Sequence, residues 1–349
     1  MKSFNIQIML LVFMLSSCDL FLGPEPDTSP EGILKSLWND FNDIHAFLDI
    51  RMSHNHKYSD WYDVYHNEKE GYARYVRPDM SSERLFVLCA RMLMELNDPH
   101  VGLYAPGLFA ASYTDSGEEF DINKAVSMLK GEGSIKYENF LYGVFSEEPQ
   151  IGYIYIASLA PFRKENGNQD WGKNIDKILK ELADTKAIVL DLRDNRGGDI
   201  YISEYIASRF ASAQKDYMKS GIKNGPGNND LSEIKYYRIK PAGVRYTKPV
   251  ILLTNKGTTS AAEWFSMALL TQNHVTHTGT PTCGAFSMRV KRPMLNGWYY
   301  TISAERVTDM NGNIFEGIGM SPMTEHIVIN DKSDAQLSYA LELAVIKGN

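Results

Sequence analysis

Three short stretches of this chain carry side chains whose types and spacing could do chemistry. The first is Thr254-Asn255-Lys256-Gly257-Thr258-Thr259-Ser260-Ala261-Ala262-Glu263, directly after the apolar run Val250 to Leu253. A serine at a strand-to-helix turn faces the crevice beyond a sheet. The free amides and dipole of the helix that follows stabilise negative charge there. Acyl transfer needs this arrangement, a nucleophile beside donors aimed at a developing oxyanion. Ser260-x-x-Glu263 also fits a capping box, in which each side chain satisfies the other's backbone amide, and on this motif alone capping is the stronger reading. The second stretch is Asp191-Leu192-Arg193-Asp194-Asn195-Arg196-Gly197-Gly198, at the end of the run Ala187 to Leu192. Paired glycines let a backbone approach a ligand closely or take positive φ, so an amide of Gly197 or Gly198 could complete an oxyanion hole. An ordinary strand-to-helix turn has the same look. It is no nucleotide loop, since neither G-x-x-x-x-G-K-[ST] nor G-x-G-x-x-G is present. The third is Leu96-Asn97-Asp98-Pro99-His100-Val101-Gly102, a turn after a helix. A lone histidine in a loop is more often a polar surface residue than a base, and the chain has eight histidines.

The elements that must position these residues follow from periodicity. From Ser29 to about Tyr104 the pattern is helical: Ser29-Pro30 makes a cap and first position, with Ile33, Leu37, Phe41, Ile44 and Leu48 at helical spacing. A second helix starts at Ser81 or Ser82, buries Leu85, Leu88, Met92 and Leu96, and stops before Pro99. Residues 105–150 form a linking segment. From Ile151 the rhythm becomes strand and helix in alternation, with strands at Ile151 to Ile156, Ala187 to Leu192 and Val250 to Leu253. Helices carry Ile175, Ile178, Leu179 and Leu182, follow Asp199, and start near Ser260. The expected fold class is α/β (α+β), a helical N-terminal region followed by a mixed, mostly parallel sheet flanked by helices. Polar residues from Ala213 to Lys248 read as an excursion from the core. Antiparallel strands after Trp298 and a closing helix near Ala335 to Ile346 end the chain.

Composition bounds the function. The chain has 349 residues, 44% hydrophobic and 23% charged, with net charge −7, and no Lys/Arg cluster suited to phosphates or an anionic membrane. A nucleic-acid partner is not expected. Lys2 and the apolar Ile6 to Leu15 read as a signal peptide over residues 1–17, too short for a spanning helix of about 20 residues. Leu15-Ser16-Ser17-Cys18 is similar to the bacterial lipobox, which implies lipidation at Cys18, a tether over residues 18–30 and a place in the cell envelope, facing the periplasm or exterior. Cys89 and Cys283 are one possible pair and no disulfide framework. Without C-x-x-C or H-E-x-x-H, neither a metal nor a cofactor is implied.

D-x-R-x-N-x-G-G, then a strand and N-x-x-[ST]-x-S-x-x-E, resembles peptidase family S41, the carboxy-terminal processing, tail-specific and tricorn-type proteases. Two further segments resemble it: Asn97-Asp98-Pro99-His100 is similar to the D-G-H turn of tricorn-like members, and Phe315-Glu316-Gly317-Ile318-Gly319-Met320-Ser321-Pro322 to their Y-E-G-x-G-x-x-P segment. The resemblance implies the tail-specific protease, ClpP/crotonase-like core over residues 151–349, behind a helical domain at 31–104. It also implies a serine endopeptidase acting on unfolded or extended polypeptides. Processing proteases use a serine–lysine dyad within G-x-x-T-x-G-K-x-S. The matching run, Gly279-Thr280-Pro281-Thr282-Cys283-Gly284-Ala285-Phe286-Ser287, has Ala285 where the lysine would stand. The tricorn-like arrangement therefore implies Ser260 as nucleophile, His100 as general base and Glu316 in support of the histidine network. Amides of Ala261 and of Gly197 or Gly198 would then bind the oxyanion. The segment before Ile151 is too short for the usual PDZ domain, which implies weak tail specificity. The competing reading is a degenerate member that binds a peptide or apolar ligand without cleaving it. An α/β-hydrolase-type esterase lacks its G-x-S-x-G.

Overall fold

The computed structural model describes residues 26–112, 120–130, 135–137, 139–160, 170–322, 324–325 and 334–349. The stretch read as a signal peptide, Cys18 and most of the segment read as a tether lie outside these residues.

The N-terminal third is helical, as expected. Helix α1 (Pro30–Ile44) starts at the Ser29 cap, whose side chain accepts from the Gly32 amide, with proline in the first turn. Helices α2 (Leu48–Ser53), α3 (Trp61–His66) and α4 (Ser82–Met94) follow, the last capped by Ser81. The chain then turns at Asn97, with φ 45°, and enters a hairpin, β1 (Gly102–Ala105) and β2 (Leu108–Ala111). Helix α5 (Ile122–Ser127) and strands β3 (Ile135–Tyr137) and β4 (Phe140–Val144) fill the linking segment.

The alternation read from Ile151 onward is present. Strands β5 (Ile151–Ile156) and β6 (Ala187–Asp191) flank α6 (Asn174–Glu181), and α7 (Ile200–Phe210) follows. The polar excursion contains β7 (Lys215–Ile222) and β8 (Lys235–Ile239). Strand β9 (Val250–Thr254) leads to α8 (Ala261–Leu269), and β10 (Val275–Gly279), β11 (Arg289–Pro293), β12 (Tyr299–Ser303), β13 (Glu305–Asp309), β14 (Thr324–Glu325) and α9 (Ala335–Gly348) complete the chain.

Three sheets result. The central one has the order β14-β10-β9-β6-β5-β4-β3. Its neighbours from β14 to β5 are parallel, and β4 and β3 join antiparallel. Its core strands are buried on both faces, hence their unbroken apolar runs. Helices α6, α7 and α8 cover one face and α9 the other. A second sheet, β13-β7-β8, corrects the reading of residues 213–248 as outside the core. Tyr217, Met218 and Ile239 pack into the main hydrophobic cluster, while Lys215 and Lys235 are exposed. The third sheet, β11-β12-β1-β2, joins distant segments. Its inner residues Leu103, Tyr300 and Ile302 share one core with Leu37, Phe41 and Leu93 of the helices.

Candidate active site

The turns after β6 and β9 are stitched to one another by the polar residues of their motifs. Asn195 donates from Nδ2 to the Ile156 carbonyl, and its Oδ1 accepts from the Gly197 amide at 2.9 Å. Its carbonyl accepts from the Thr259 amide at 2.9 Å. Asn255 bonds both the amide and the carboxylate of Asp194, and Thr258 Oγ1 donates to the Leu192 carbonyl. Arg193 pairs with Asp191 and with Asp334, the cap of α9, which pins the first turn to the closing helix. The glycines make the contact possible. Gly197 has φ 81°, and a Cβ there would lie 2.6 Å from the Thr259 carbonyl oxygen and 2.9 Å from Ser260 Cβ. At Gly198 (φ 148°) a Cβ would meet the Ala160 nitrogen at 2.1 Å.

Ser260 has φ 61° and ψ −123°. A helix cap ordinarily takes β-region angles with its side chain turned onto the first-turn amides. Here the Glu263 amide donates to the Ser260 carbonyl at 2.8 Å and the Glu263 carboxylate accepts from the Ser260 amide at 3.0 Å, so the capping box is formed, but on a backbone outside the β region. A strained non-glycine residue at a strand-to-helix turn is how α/β enzymes project a nucleophilic hydroxyl. Two amides flank it. Among the described residues, neither the Ala261 nor the Gly198 N–H has an acceptor, whereas Gly197's is taken by Asn195.

Glu263, read from sequence only as a cap partner, holds the turn. Its buried carboxylate accepts from the Ser260 amide (3.0 Å), the Thr282 hydroxyl (2.6 Å) and the Gly284 and Ala285 amides (2.7 and 2.8 Å). Burial pushes its pKa up, and these donors oppose the shift. Ala285, at the dyad lysine's place, is fully buried.

His100 is 6% exposed, and its Nδ1 has no hydrogen-bond partner. Burial pushes its pKa down to about 4; the Asp98 charge opposes this, and Arg289, Arg51 and His45 add to it. Its amide donates to Asp98 Oδ1 at 2.8 Å. Asp98 Oδ2 accepts from Ser303 Oγ and bonds His45 Nε2 at 2.9 Å. The Phe47 amide donates to His45 Nδ1, so the His45 proton sits on Nε2 and points at Asp98. No hydrogen bond joins the His100 ring to Ser260 or to Glu316. The Glu316 carboxylate instead takes Arg51 and the Phe286 and Ser287 amides. Burial raises its pKa to about 7; Arg51 opposes the shift and the Asp98 charge adds to it.

Arg51, which no motif singled out, ties these pieces together. Buried, its guanidinium reaches the Asn97 and Gly284 carbonyls (both 3.0 Å) and Glu316, with Asp98 at 3.7 Å. The His100 turn, the Glu316 loop and, through Gly284 and Glu263, the Ser260 turn are thus connected. Its signal in the sequence is one cation on a short helix, which nothing distinguishes from a surface arginine. A cavity of about 510 Å³ is lined by Arg51, His54, Lys57, Glu95 and Gly317, but not by Ser260 or His100. Cys89 and Cys283 are both buried and are not joined in a disulfide.

The family model for peptidase family S41 matches residues 150–326, half of the chain. Among curated proteins, the carboxy-terminal processing protease CtpA of Bacillus subtilis is 27% identical over 226 residues, 59% of this chain and 46% of that protein. The carboxy-terminal processing protease CtpB of the same organism is 24% identical over 51% of this chain and 35% of that protein. The chain thus spans about a third to a half of the length of these relatives. A crystal structure of a peptidase candidate from Parabacteroides merdae superposes with TM-score 0.79 at 26% identity, over 91% of this chain and 98% of that one. Mature CPAF, with TM-score 0.63 at 13% identity over 85% and 92% of the two chains, shares the fold. With its motifs stitched around Ser260 and the family's model matched across them, the chain belongs to peptidase family S41.

Proposed function

We propose that the chain is a serine endopeptidase that cuts extended polypeptides through an acyl-enzyme on Ser260. The observation that carries this is the backbone of Ser260, φ 61° and ψ −123°, between two amides with no acceptor. Ser260 Oγ attacks the scissile carbonyl as His100 takes its proton, and the oxyanion is met by the N–H groups of Ala261 and Gly198. His100 returns the proton to the leaving amine, and water then releases the acyl group by the same route. Glu316 acts through Arg51 and Asp98 on the turn that carries His100. A gap between base and nucleophile commonly closes only when substrate is in place. A phosphonate probe tests the reading: labelling should map to Ser260 and vanish in Ser260→Ala. The competing reading, a degenerate member that binds a peptide or apolar ligand, is favoured by the missing His100–Ser260 hydrogen bond. It predicts no labelling of a well-folded chain.

The place of action is proposed from the N-terminal sequence, with lipidation at Cys18 holding the chain in a bacterial envelope. In support, one fold neighbour is a lipoprotein from Streptococcus agalactiae, and no helix among the described residues is long and apolar enough to span a membrane. Palmitate incorporation that persists in Cys18→Ala would sink the anchor.

A further inference from the structure

The β11-β12-β1-β2 sheet has two unlike faces. Residues of one face, Leu103, Tyr300, Ile302 and Val290, belong to the core shared with the helices. The other face is ordered in rows by the strand register. One row is Pro293, Tyr299, Tyr104 and Phe109, and the next is Lys291, Thr301, Gly102 and Ala111. The third begins with Arg289 opposite Ser303, and the Arg289 charge acts on His100, where it helps to lower the pKa of that ring. The proposed base therefore stands at the Arg289 end of this sheet, in the turn that leads into β1.

The far row is an aromatic stack. Phe109 and Tyr104 have ring centroids 4.8 Å apart, and Tyr104 and Tyr299 stack at 4.4 Å and 7°. Lys291 Nζ sits 3.7 Å over the Tyr299 ring. Tyr104 leans back over Gly102, where a Cβ would meet its ring at 3.2 Å, so the stack extends toward His100. Phe109 is 62% exposed. Among the described residues, no carboxylate pairs with Arg289 or Lys291. Large aromatic surface and unpaired cations on one wall fit a ligand that is apolar and anionic.

We propose that this sheet face is the substrate floor of the peptidase and selects extended segments in which an aromatic residue neighbours an acidic one. The aromatic side chain packs on Phe109 and Tyr104, and the carboxylate meets Lys291 and Arg289. The inference rests on the peptidase reading, so its test is built not to need turnover. Full-length Ser260→Ala protein is titrated against short fluorescein-labelled peptides that differ only in carrying Asp-Phe, Asn-Phe or Asp-Ala, with anisotropy as readout. The Asp-Phe peptide should bind about two- to fivefold more tightly than either other, and the Asp advantage should shrink as salt rises. Lys291→Glu should erase the preference for Asp over Asn, and Phe109→Ala the preference for Phe over Ala. Both positions are exposed, and unchanged melting curves verify folding. Equal affinity for the three peptides, no binding of any, or preferences that survive both substitutions would overturn the floor. Peptide cleavage by the wild type would still stand in those cases; preferences without wild-type cleavage would sink the peptidase reading and leave the floor.

Discussion

His100 is kept neutral by its surroundings, which suits a base. Burial holds its pKa near 4 against an ordinary 6.5. A base must be unprotonated, so activity should fall on acidification only as pH approaches that lowered value. We expect kcat/KM on a short peptide to lose half its value below about pH 5.5, where a histidine of ordinary pKa would already be mostly protonated. An acid limb centred near 6.5 would contradict the burial seen here. The linkage to stability has the same sign. The unfolded chain binds the His100 proton first, so this residue's contribution is intact above 6.5 and fades as pH drops toward 4. At this scale the sequence was partly legible. Ser260, the glycines and His100 stood in motifs, because a reaction restricts residue type. Arg51 did not, since its importance lies in four partners distant in the chain.

The element that carries most of the proposed chemistry is the pair of turns after β6 and β9, which touch because Gly197 has no side chain. A methyl there would strike the Thr259 carbonyl oxygen and Ser260 Cβ while demanding φ 81° of an alanine. Gly197→Ala should lower kcat/KM by about 10²–10³, the usual cost of losing an oxyanion donor, through displaced Gly198 and Ala261 amides. Near-normal kcat/KM in that variant would mean the turn contributes no oxyanion donors. Strands β5, β6 and β9 were legible because burial on both faces leaves only apolar residues. Strands β7 and β8 were not. Their exposed lysines and the register irregularity between Asp216 and Met218, which lets the consecutive Tyr217 and Met218 both turn inward, leave no clean alternation to read. The β1-β2 hairpin escaped notice because its pairing partner, β12, is far along the chain.

For the molecule as a whole, the helical third and the β11-β12-β1-β2 sheet share a core. Trp298 and Tyr300, from late in the chain, pack among Phe41, Trp61 and Phe86. One cooperative unfolding transition should result, and Trp298→Ala should cost about 3–5 kcal/mol. It should shift the loss of helix signal and of activity together. Two separable transitions would show independent domains. The same sharing explains why Arg51 and His100, which precede the matched residues 150–326, can join a site centred on Ser260. The most direct test of the account is cleavage of an unfolded protein by the full chain, with Ser260→Ala and His100→Ala beside the wild type. Both substitutions should reduce the rate by roughly 10⁴ or more. Cleavage surviving in Ser260→Ala would contradict the account and leave that serine a turn residue.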